Sequence, residues 1–294
     1  VPNLRFPEFK GEWEDKKLGD VATISSGGTP NRSKLEYWEG SIPWVSTSLI
    51  NFNTIYNTEE KITEKGLQYS SAKIYPKDTI LMAMYGQGKT RGKVAILGID
   101  ASINQACASI QTNQSILNSL FLFQNLSKRY SEIRGLSNQG GQENLSGAII
   151  KEIKVSYPSL LEQEKIALFF SFIDQRIKTQ IKIIEKYESL IKGIGNKLFS
   201  LKMRFKTNDG NDFPSWKTKS FENIGKTFSG LSGKAKEDFG IGKPYIQYKQ
   251  VFDSPQIQIQ NCGLVNVSDS ENQNNVKYGD VFFTVSSETP DEIG

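Results

Sequence analysis

The chain has 294 residues, with 36 Lys and Arg against 32 Asp and Glu, so any contact with nucleic acid needs a local basic patch rather than a strongly cationic surface. It contains no His and only two Cys, which excludes a Ser-His-Asp triad, a His-ligated metal site, a four-cysteine zinc site and a disulfide framework. There is neither a secretory signal core nor an apolar run of the ~18 residues that span a membrane, and we expect a cytoplasmic protein without membrane contacts.

The first half of the chain contains mostly strand-forming segments. Apolar or β-branched runs bounded by Gly, Asn and Asp predict strands at Asp20–Ser25, Thr79–Tyr85, Lys93–Leu97 and Ala106–Gln111. A helix is predicted over Ser115–Arg134, because its apolar residues recur on one face. These segments predict the α+β fold class for a module with mixed strands and helices.

A polar loop lies between the second and third predicted strands. Ala83–Thr90 fits a loose phosphate-binding loop, and a phosphate-binding enzyme is one hypothesis. The loop leads into a strand rather than a helix, however, so the helix N-terminus that would hold the phosphate is missing. The alternatives are a solvated hairpin loop and a basic tip that binds DNA. The candidate DNA contacts in this loop are Gln87, Lys89, Thr90, Arg91 and Lys93.

Three further loops of the first module carry side chains that hydrogen-bond to phosphates or base edges. The tryptophans that precede the first loop favour core packing as an alternative, and the glycine-rich third loop is equally typical of a mobile linker. The candidates are Ser46, Thr47 and Ser48 in the first loop, Asn104 and Gln105 in the second, and Asn138, Gln139, Gln142 and Asn144 in the third.

The segment from residue 161 to 199 predicts one long helix of roughly 58 Å, at 1.5 Å per residue. Pro158 lies just upstream, Ser159 is a candidate N-cap, and neither Pro nor Gly occurs before Gly193. Apolar residues separated by three or four positions form one seam, which requires a partner helix. The predicted subunit interface consists of Ile166, Phe170, Ile173, Ile177, Ile184, Ile191 and Leu198.

The sequence repeats itself with a long period. Trp13 and Trp216 are 203 residues apart, and so are Ser26 and Ser229. The segment Tyr75–Leu81 is echoed by Lys277–Phe283. Such a period indicates two copies of one module. We predict a first recognition domain at 1–158, a spacer helix at 159–201 and the first part of an incomplete second domain at 202–294.

Several segments together carry a resemblance to a known family. They include the box Leu160-Leu161-Glu162-Gln163 at the start of the long helix, and the stretches LRFPEFKGEW, YWEGSIPWVS, IYPKDTILM and INQACASI. The chain resembles the specificity subunit of type I restriction-modification systems, truncated within its second target-recognition domain. The resemblance extends over essentially the whole chain.

The resemblance implies a DNA-binding subunit that is not itself an enzyme. Each recognition domain of such a subunit contacts one half of a split DNA target in the major groove. Its two long helices pair antiparallel and dock the modification subunits, through which restriction subunits join. The resemblance also implies that this chain holds no cofactor or metal. S-adenosylmethionine for adenine methylation, and ATP and Mg²⁺ for translocation and cleavage, belong to the partner subunits.

The second module contributes its own candidates for DNA contact, chosen by loop position and side-chain chemistry: Gln247, Lys249, Ser286, Ser287 and Thr289. Because the second long helix of the family is missing, two outcomes are open: the second half of the chain is unstable, or two copies of the chain pair through their single helices. The alternative function is a truncated, non-catalytic scaffold that binds modification subunits or a sister subunit through the helix.

Overall fold

The computed structural model describes residues 4–86, 89–136 and 144–284. Contacts within the chain divide it into two units, Val1–Ser200 and Leu201–Gly294. The boundary coincides with the end of the long helix, which therefore belongs to the first unit. Its separation as a domain of its own, at 159–201, stays a prediction.

Strands and helices alternate irregularly along the described residues, which confirms the predicted α+β class. The strands are β1 (Glu14–Lys17), β2 (Ala22–Ser26), β3 (Trp38–Val45), β4 (Thr54–Ile55), β5 (Lys61–Ile62), β6 (Ile74–Tyr75), β7 (Ile80–Ala83), β8 (Val94–Leu97), β9 (Ala101–Ile103), β10 (Cys107–Thr112), β11 (Lys154–Tyr157), β12 (Phe239–Tyr245) and β13 (Gly263–Val265). The α-helices are α1 (Leu18–Val21), α2 (Glu64–Gln68), α3 (Ser119–Lys128), α4 (Tyr130–Gly135), α5 (Gly147–Glu152), α6 (Leu160–Phe199) and α7 (Tyr248–Asp253).

A five-stranded sheet with the strand order β2-β10-β7-β8-β4 forms the centre of the first unit. Its middle strands β7 and β8 are buried at every position. Since side chains alternate along a strand, Met82 and Val94 join a cluster with α3 on one face, while Leu81 and Ala95 pack on the other. Both faces are covered, which is why these strands are continuously apolar in sequence.

A four-stranded sheet with the order β5-β3-β9-β6 covers the second face. Its residues Val45, Tyr75 and Ile103 meet Leu81 and Leu97 of the central sheet in one buried cluster. β3 runs parallel to β9, with Val45 opposite Ile103. The two strands therefore end at the same edge of the sheet, and the loops that follow them start side by side.

The start of the first predicted strand is wrong. Leu18–Val21 is a helical turn, and the strand begins only at Ala22. Leu18 and Val21, three positions apart, are both buried, which is the spacing of a helix rather than of a strand.

The helix predicted over Ser115–Arg134 is two helices. α3 begins after Asn118, whose Oδ1 accepts the backbone N–H of Phe121 at 3.0 Å. The helical path breaks at Arg129, where α4 starts with a new turn. The guanidinium of Arg129 donates to the carbonyl of Lys154 at 2.7 Å and so ties the break to β11.

The long helix is present as predicted: α6 spans 40 residues, about 60 Å at 1.5 Å per residue. Ser159 occupies the N-cap position, but its side chain makes no capping hydrogen bond. The backbone carbonyl of Ser159 accepts the N–H of Gln163 at 3.0 Å and closes the first turn. The prediction of a side-chain cap at Ser159 is therefore wrong.

The second unit repeats a bulged antiparallel strand pair of the first unit. β12 pairs with β13 as β3 pairs with β5, and each pair contains a register shift at which two residues of the longer strand face one partner. That partner is Ile62 in the first unit and Val265 in the second. Each bulge contains a residue with positive φ, Glu39 at 59° and Gly240 at 102°. The bulges therefore lie at matching positions of the sequence repeat.

Candidate nucleic-acid interface

The polar residues after β3 and β9 are neighbours. The backbone N–H of Asn104 donates to the carbonyl of Val45 at 2.9 Å, which fixes the two strand ends together. Ser46 follows directly, and its hydroxyl oxygen lies 2.6 Å from that of Ser48. The hydroxyl of Thr29 donates to Oε1 of Gln105. The parallel pairing of β3 with β9 thus brings the predicted serine loop to the predicted amides of Asn104 and Gln105.

The loop between β7 and β8 lies at the same edge. The N–H of Met84 donates to the carbonyl of Ala106 at 2.9 Å, next to Gln105. At the other end of the loop, the N–H of Gly92 donates to the carbonyl of Ala83 at 2.9 Å. Among the described residues between β7 and β8 there is no helix, so the structure lacks the helix N-terminus of a phosphate-binding loop.

The fourth predicted loop returns to this edge as well. The N–H of Leu145 donates to the carbonyl of Met84 at 2.9 Å, which places Asn144 beside the β7–β8 loop. The other predicted amides of these two loops lie outside the described residues: Gln87, Asn138, Gln139 and Gln142.

We call this surface the polar edge. It comprises Ser46, Thr47, Ser48, Asn51, Phe52, Lys89, Thr90, Lys93, Asn104, Gln105 and Asn144. None of these residues carries a negative charge. The opposite ends of β7 and β8 carry two carboxylates, Asp78 and Asp100, with one lysine, Lys77. This asymmetry favours a polyanion at the polar edge.

The three cations predicted for the β7–β8 loop differ in exposure. Lys89 is exposed, and Lys93 is half-buried with its Nζ donating to Oδ1 of Asn51 at 2.7 Å. Arg91 is only 4% exposed, and its Nη2 donates to the carbonyl of Arg134 at 3.4 Å. The exposed basic tip predicted from the sequence therefore contains Lys89 but not Arg91, because that guanidinium fastens the loop to α4.

The turn that leads to β4 was not among the predicted DNA contacts. Asn51 donates its N–H to Oδ1 of Asn53 at 2.9 Å, so the Asn53 side chain holds the backbone of the turn. Phe52 has a positive φ of 55°, and its ring lies edge-on to Tyr130 with a centroid separation of 5.3 Å. Lys93 Nζ lies 5.8 Å from the Phe52 centroid. The turn thus places the Phe52 ring and the Asn51 amide beside the ammonium group of Lys93.

In the second unit, Gln247 precedes α7 and is held by two hydrogen bonds. Its N–H donates to Oε1 of Gln250 at 3.1 Å, and its Nε2 donates to the hydroxyl of Tyr245 at 3.1 Å. Lys249 is exposed, 3.8 Å from a carboxylate oxygen of Asp253. These residues border a cleft of about 270 Å³ that is lined mainly by amides. The remaining candidates lie outside the described residues: Ser286, Ser287 and Thr289.

The acidic-amide box at the start of α6 faces inward. Glu162, 1% exposed, accepts two hydrogen bonds from Arg5 at 2.7 and 2.6 Å. Gln163 is fully buried and donates to the carbonyl of Ile116 at 2.9 Å and to that of the preceding proline at 2.8 Å. Its Oε1 accepts the N–H of Asn118 at 2.9 Å. The box therefore fixes the helix to the recognition module.

The apolar seam of α6 is mostly exposed. In the described part of the chain, which includes all of α6, no residue of this helix beyond Ala167 is buried. Ile166 packs against the core of the first unit, so it does not belong to the free seam, and Leu198 is half-buried. The other predicted interface residues are 41–71% exposed: Phe170, Ile173, Ile177, Ile184 and Ile191.

Residues 10–186 match the family model of the type I restriction modification DNA specificity domain. The chain belongs to this family. The match includes the five-stranded and four-stranded sheets of the first unit and most of α6, so the polar edge lies within a DNA specificity domain. Because the family is one of specificity subunits, the prediction that the chain is not an enzyme is confirmed.

Curated relatives carry the same designation. The type I restriction enzyme MjaIX specificity subunit of Methanocaldococcus jannaschii is 34% identical over 182 residues, 60% of this chain and 41% of the relative. The EcoR124I/EcoR124II specificity subunit of Escherichia coli is 27% identical over 197 residues, 65% of this chain and 44% of the relative. The chain therefore matches less than half the length of these relatives.

Solved structures of S subunits are also similar. That from M. genitalium shares 19% identity, with a TM-score of 0.49 over 68% of this chain and 49% of that one. The HsdS subunit from Thermoanaerobacter tengcongensis shares 17% identity, with a TM-score of 0.43 over 60% and 40% of the two chains.

The described residues contain no group of three His, Cys, Asp or Glu that could hold a metal ion. Burial raises the pKa of the Cys107 thiol to about 12, so this thiol is protonated at neutral pH and is a core side chain rather than a nucleophile. Of the helices in the described ranges, none is both long and apolar enough to cross a membrane.

Proposed function

We propose that this chain is the DNA-recognition component of a type I restriction-modification complex, and that its first unit binds one half of a bipartite DNA target through the polar edge. The observation that carries the proposal is the convergence of four separate polar loops, with Lys89 and Lys93 among them, at one edge of a DNA specificity domain. Binding residues are often carried by loops on a rigid scaffold, and a DNA surface requires cations, hydroxyls and amides clustered in this way.

The side chains of the polar edge divide by chemistry. Lys89 is exposed and places a cation on the phosphate backbone. Hydroxyls and amides, such as those of Ser48, Asn104 and Gln105, donate and accept on base edges in the major groove. Gln247 and Lys249 serve the second half of the target in the same way. Arg91 acts from the inside, since it holds the loop that carries Lys89.

Membership of the family supports the partners proposed here. Modification subunits dock on this chain in the cytoplasm, use S-adenosylmethionine and methylate adenine within the target. Restriction subunits join through them and consume ATP with Mg²⁺. In this proposal the chain itself binds double-stranded DNA and holds neither cofactor nor metal.

The exposed seam of α6 favours a second function, that of an assembly scaffold. Its apolar residues recur at helical spacing from Phe170 to Leu198, a stretch that one equally long helix covers. We propose that the occupant is α6 of a second copy of the chain, which would place two recognition modules at the ends of one coiled coil. A modification subunit on the same seam is the alternative.

The role of the polar edge is tested by the salt dependence of DNA binding. Lys89→Ala should weaken binding to all sequences and lower the slope of log K against log salt by about one phosphate contact, roughly 0.9. Lys77→Ala, a lysine at the opposite end of the strands, is the matched control and should leave the slope unchanged. Equal slopes for wild type and Lys89→Ala would remove this edge from the interface.

A further inference from the structure

The turn that carries Asn51 and Phe52 is held rigidly at the polar edge. The N–H of Phe52 donates to the carbonyl of Val94 at 2.8 Å, and the N–H of Ile96 donates to the carbonyl of Asn53 at 3.0 Å. Ile50, just before the turn, is 1% exposed. These anchors keep Phe52 at a φ of 55°, a conformation that costs a non-glycine residue about 1 kcal/mol or more. The turn therefore presents its side chains in a fixed direction.

The hydrogen bond between Lys93 and Asn51 determines which part of the amide is available. A lysine ammonium has donors and no acceptor, so the atom that faces Lys93 Nζ at 2.7 Å must be the oxygen Oδ1. Among the described residues, the two N–H groups of Nδ2 have no partner, and Asn51 is exposed. Asn51 therefore offers donors from a preset orientation, supported by a cation that is itself placed beside the Phe52 ring.

We propose that Asn51 is a specificity-determining residue, which donates from Nδ2 to an acceptor on a base edge, and that Lys93 is a positioning residue for this amide. The acceptors in the major groove that fit Nδ2 as a donor are O6 and N7 of guanine, N7 of adenine and O4 of thymine. The bidentate contact to adenine would need Oδ1 to accept a second hydrogen bond with its other lone pair, because the bond from Lys93 already uses one. This inference rests on the proposed function, and it changes the role of Lys93 from phosphate contact to positioning of Asn51.

The test is selection of binding sites from a random double-stranded DNA library by the full chain, with Asn51→Ala, Asn51→Asp and the control Asn57→Ala. Asn57 is also an exposed amide, but it follows β4 at the opposite end of that strand. We expect wild type and Asn57→Ala to select the same motif. Asn51→Ala should lose about tenfold discrimination at one base pair, within the range of a single base contact. Asn51→Asp should shift that position toward cytosine or adenine, whose amino groups are donors.

The result of the selection distinguishes a failure of the proposed function from a failure of the inference about Asn51. A wild-type chain that selects no motif contradicts the proposed function, and the inference with it. A wild-type motif that survives Asn51→Ala at every position contradicts the inference alone. A uniform loss of affinity without loss of discrimination would make Asn51 a backbone contact.

Lys93→Met provides the separate test of positioning, with thermal melting of each variant as the check on folding. If Lys93 orients the amide, this substitution should relax the same base pair as Asn51→Ala. If it only contacts a phosphate, affinity should fall equally for all sequences and the salt slope should fall by roughly 0.9.

Discussion

Gln163 illustrates how one buried residue joins two elements. The hydrogen bonds of its side chain go to backbone groups outside its own helix, at residues Ile116, Asn118 and Pro158. Asn118 in turn caps α3, so the start of α6 and the start of α3 share one network. Gln163 belongs to the box at the start of α6 that carries part of the family resemblance. The structure gives a physical reason for this box: its side chains set the position of the long helix on the recognition module.

Gln163→Ala should lower the free energy of unfolding of the first unit by about 2–3 kcal/mol, because one buried carbonyl, one half-buried carbonyl and one half-buried N–H lose their partner. Gln175→Ala on the exposed part of the same helix is the matched control, and a change within about 0.5 kcal/mol is expected there. Urea unfolding of both variants measures the difference. Equal stability of the two variants would show that the network is dispensable.

At the scale of elements, the bounds of the long helix were predicted most accurately from the sequence, and the positions of the loops were predicted least accurately. The period of three and four in the segment from 161 to 199 is a local signal, and α6 follows it to within a residue. The strand predicted at Asp20 and the uninterrupted helix across Arg129 failed, because tertiary burial of Leu18 and the bond from Arg129 to β11 overrode local pattern.

The polar edge depends on information that no local pattern contains. Val45 and Ile103 are far apart in sequence, and only their parallel pairing brings Ser46 beside Asn104. The burial of Arg91 likewise results from the approach of α4 to the β7–β8 loop. Residue types in the loops could therefore be predicted as candidates, but which of them point outward required the fold.

The seam of α6 yields a prediction about assembly. A charge placed in a paired apolar seam would be buried without a partner, so Ile173→Asp combined with Ile177→Asp should abolish self-association. The matched control is Gln175→Asp with Thr179→Asp, which has the same spacing on the polar side of the helix. Sedimentation of wild type and both variants at micromolar concentration gives the answer. A monomeric wild-type chain, or a double Ile variant that still dimerises, would contradict pairing between copies.

At the scale of the whole molecule, the sequence repeat and the repeated bulged strand pair indicate two modules of one kind. Two modules that each bind half of a target fit a split recognition sequence. The helix between them in sequence, about 60 Å long, exceeds the roughly 34 Å of one DNA turn that separates adjacent major-groove sites. This length is compatible with the bipartite target proposed above.

The most direct test of this account is methylome sequencing of a host that carries this chain with its modification subunit, compared with a host that lacks only the chain. The account predicts a new split motif methylated on adenine, present only with the chain. A palindromic motif would indicate two first modules paired through α6, and an asymmetric motif would indicate that a second, different half-site is recognised. The same methylation pattern in both hosts would contradict the claim that this chain supplies DNA specificity.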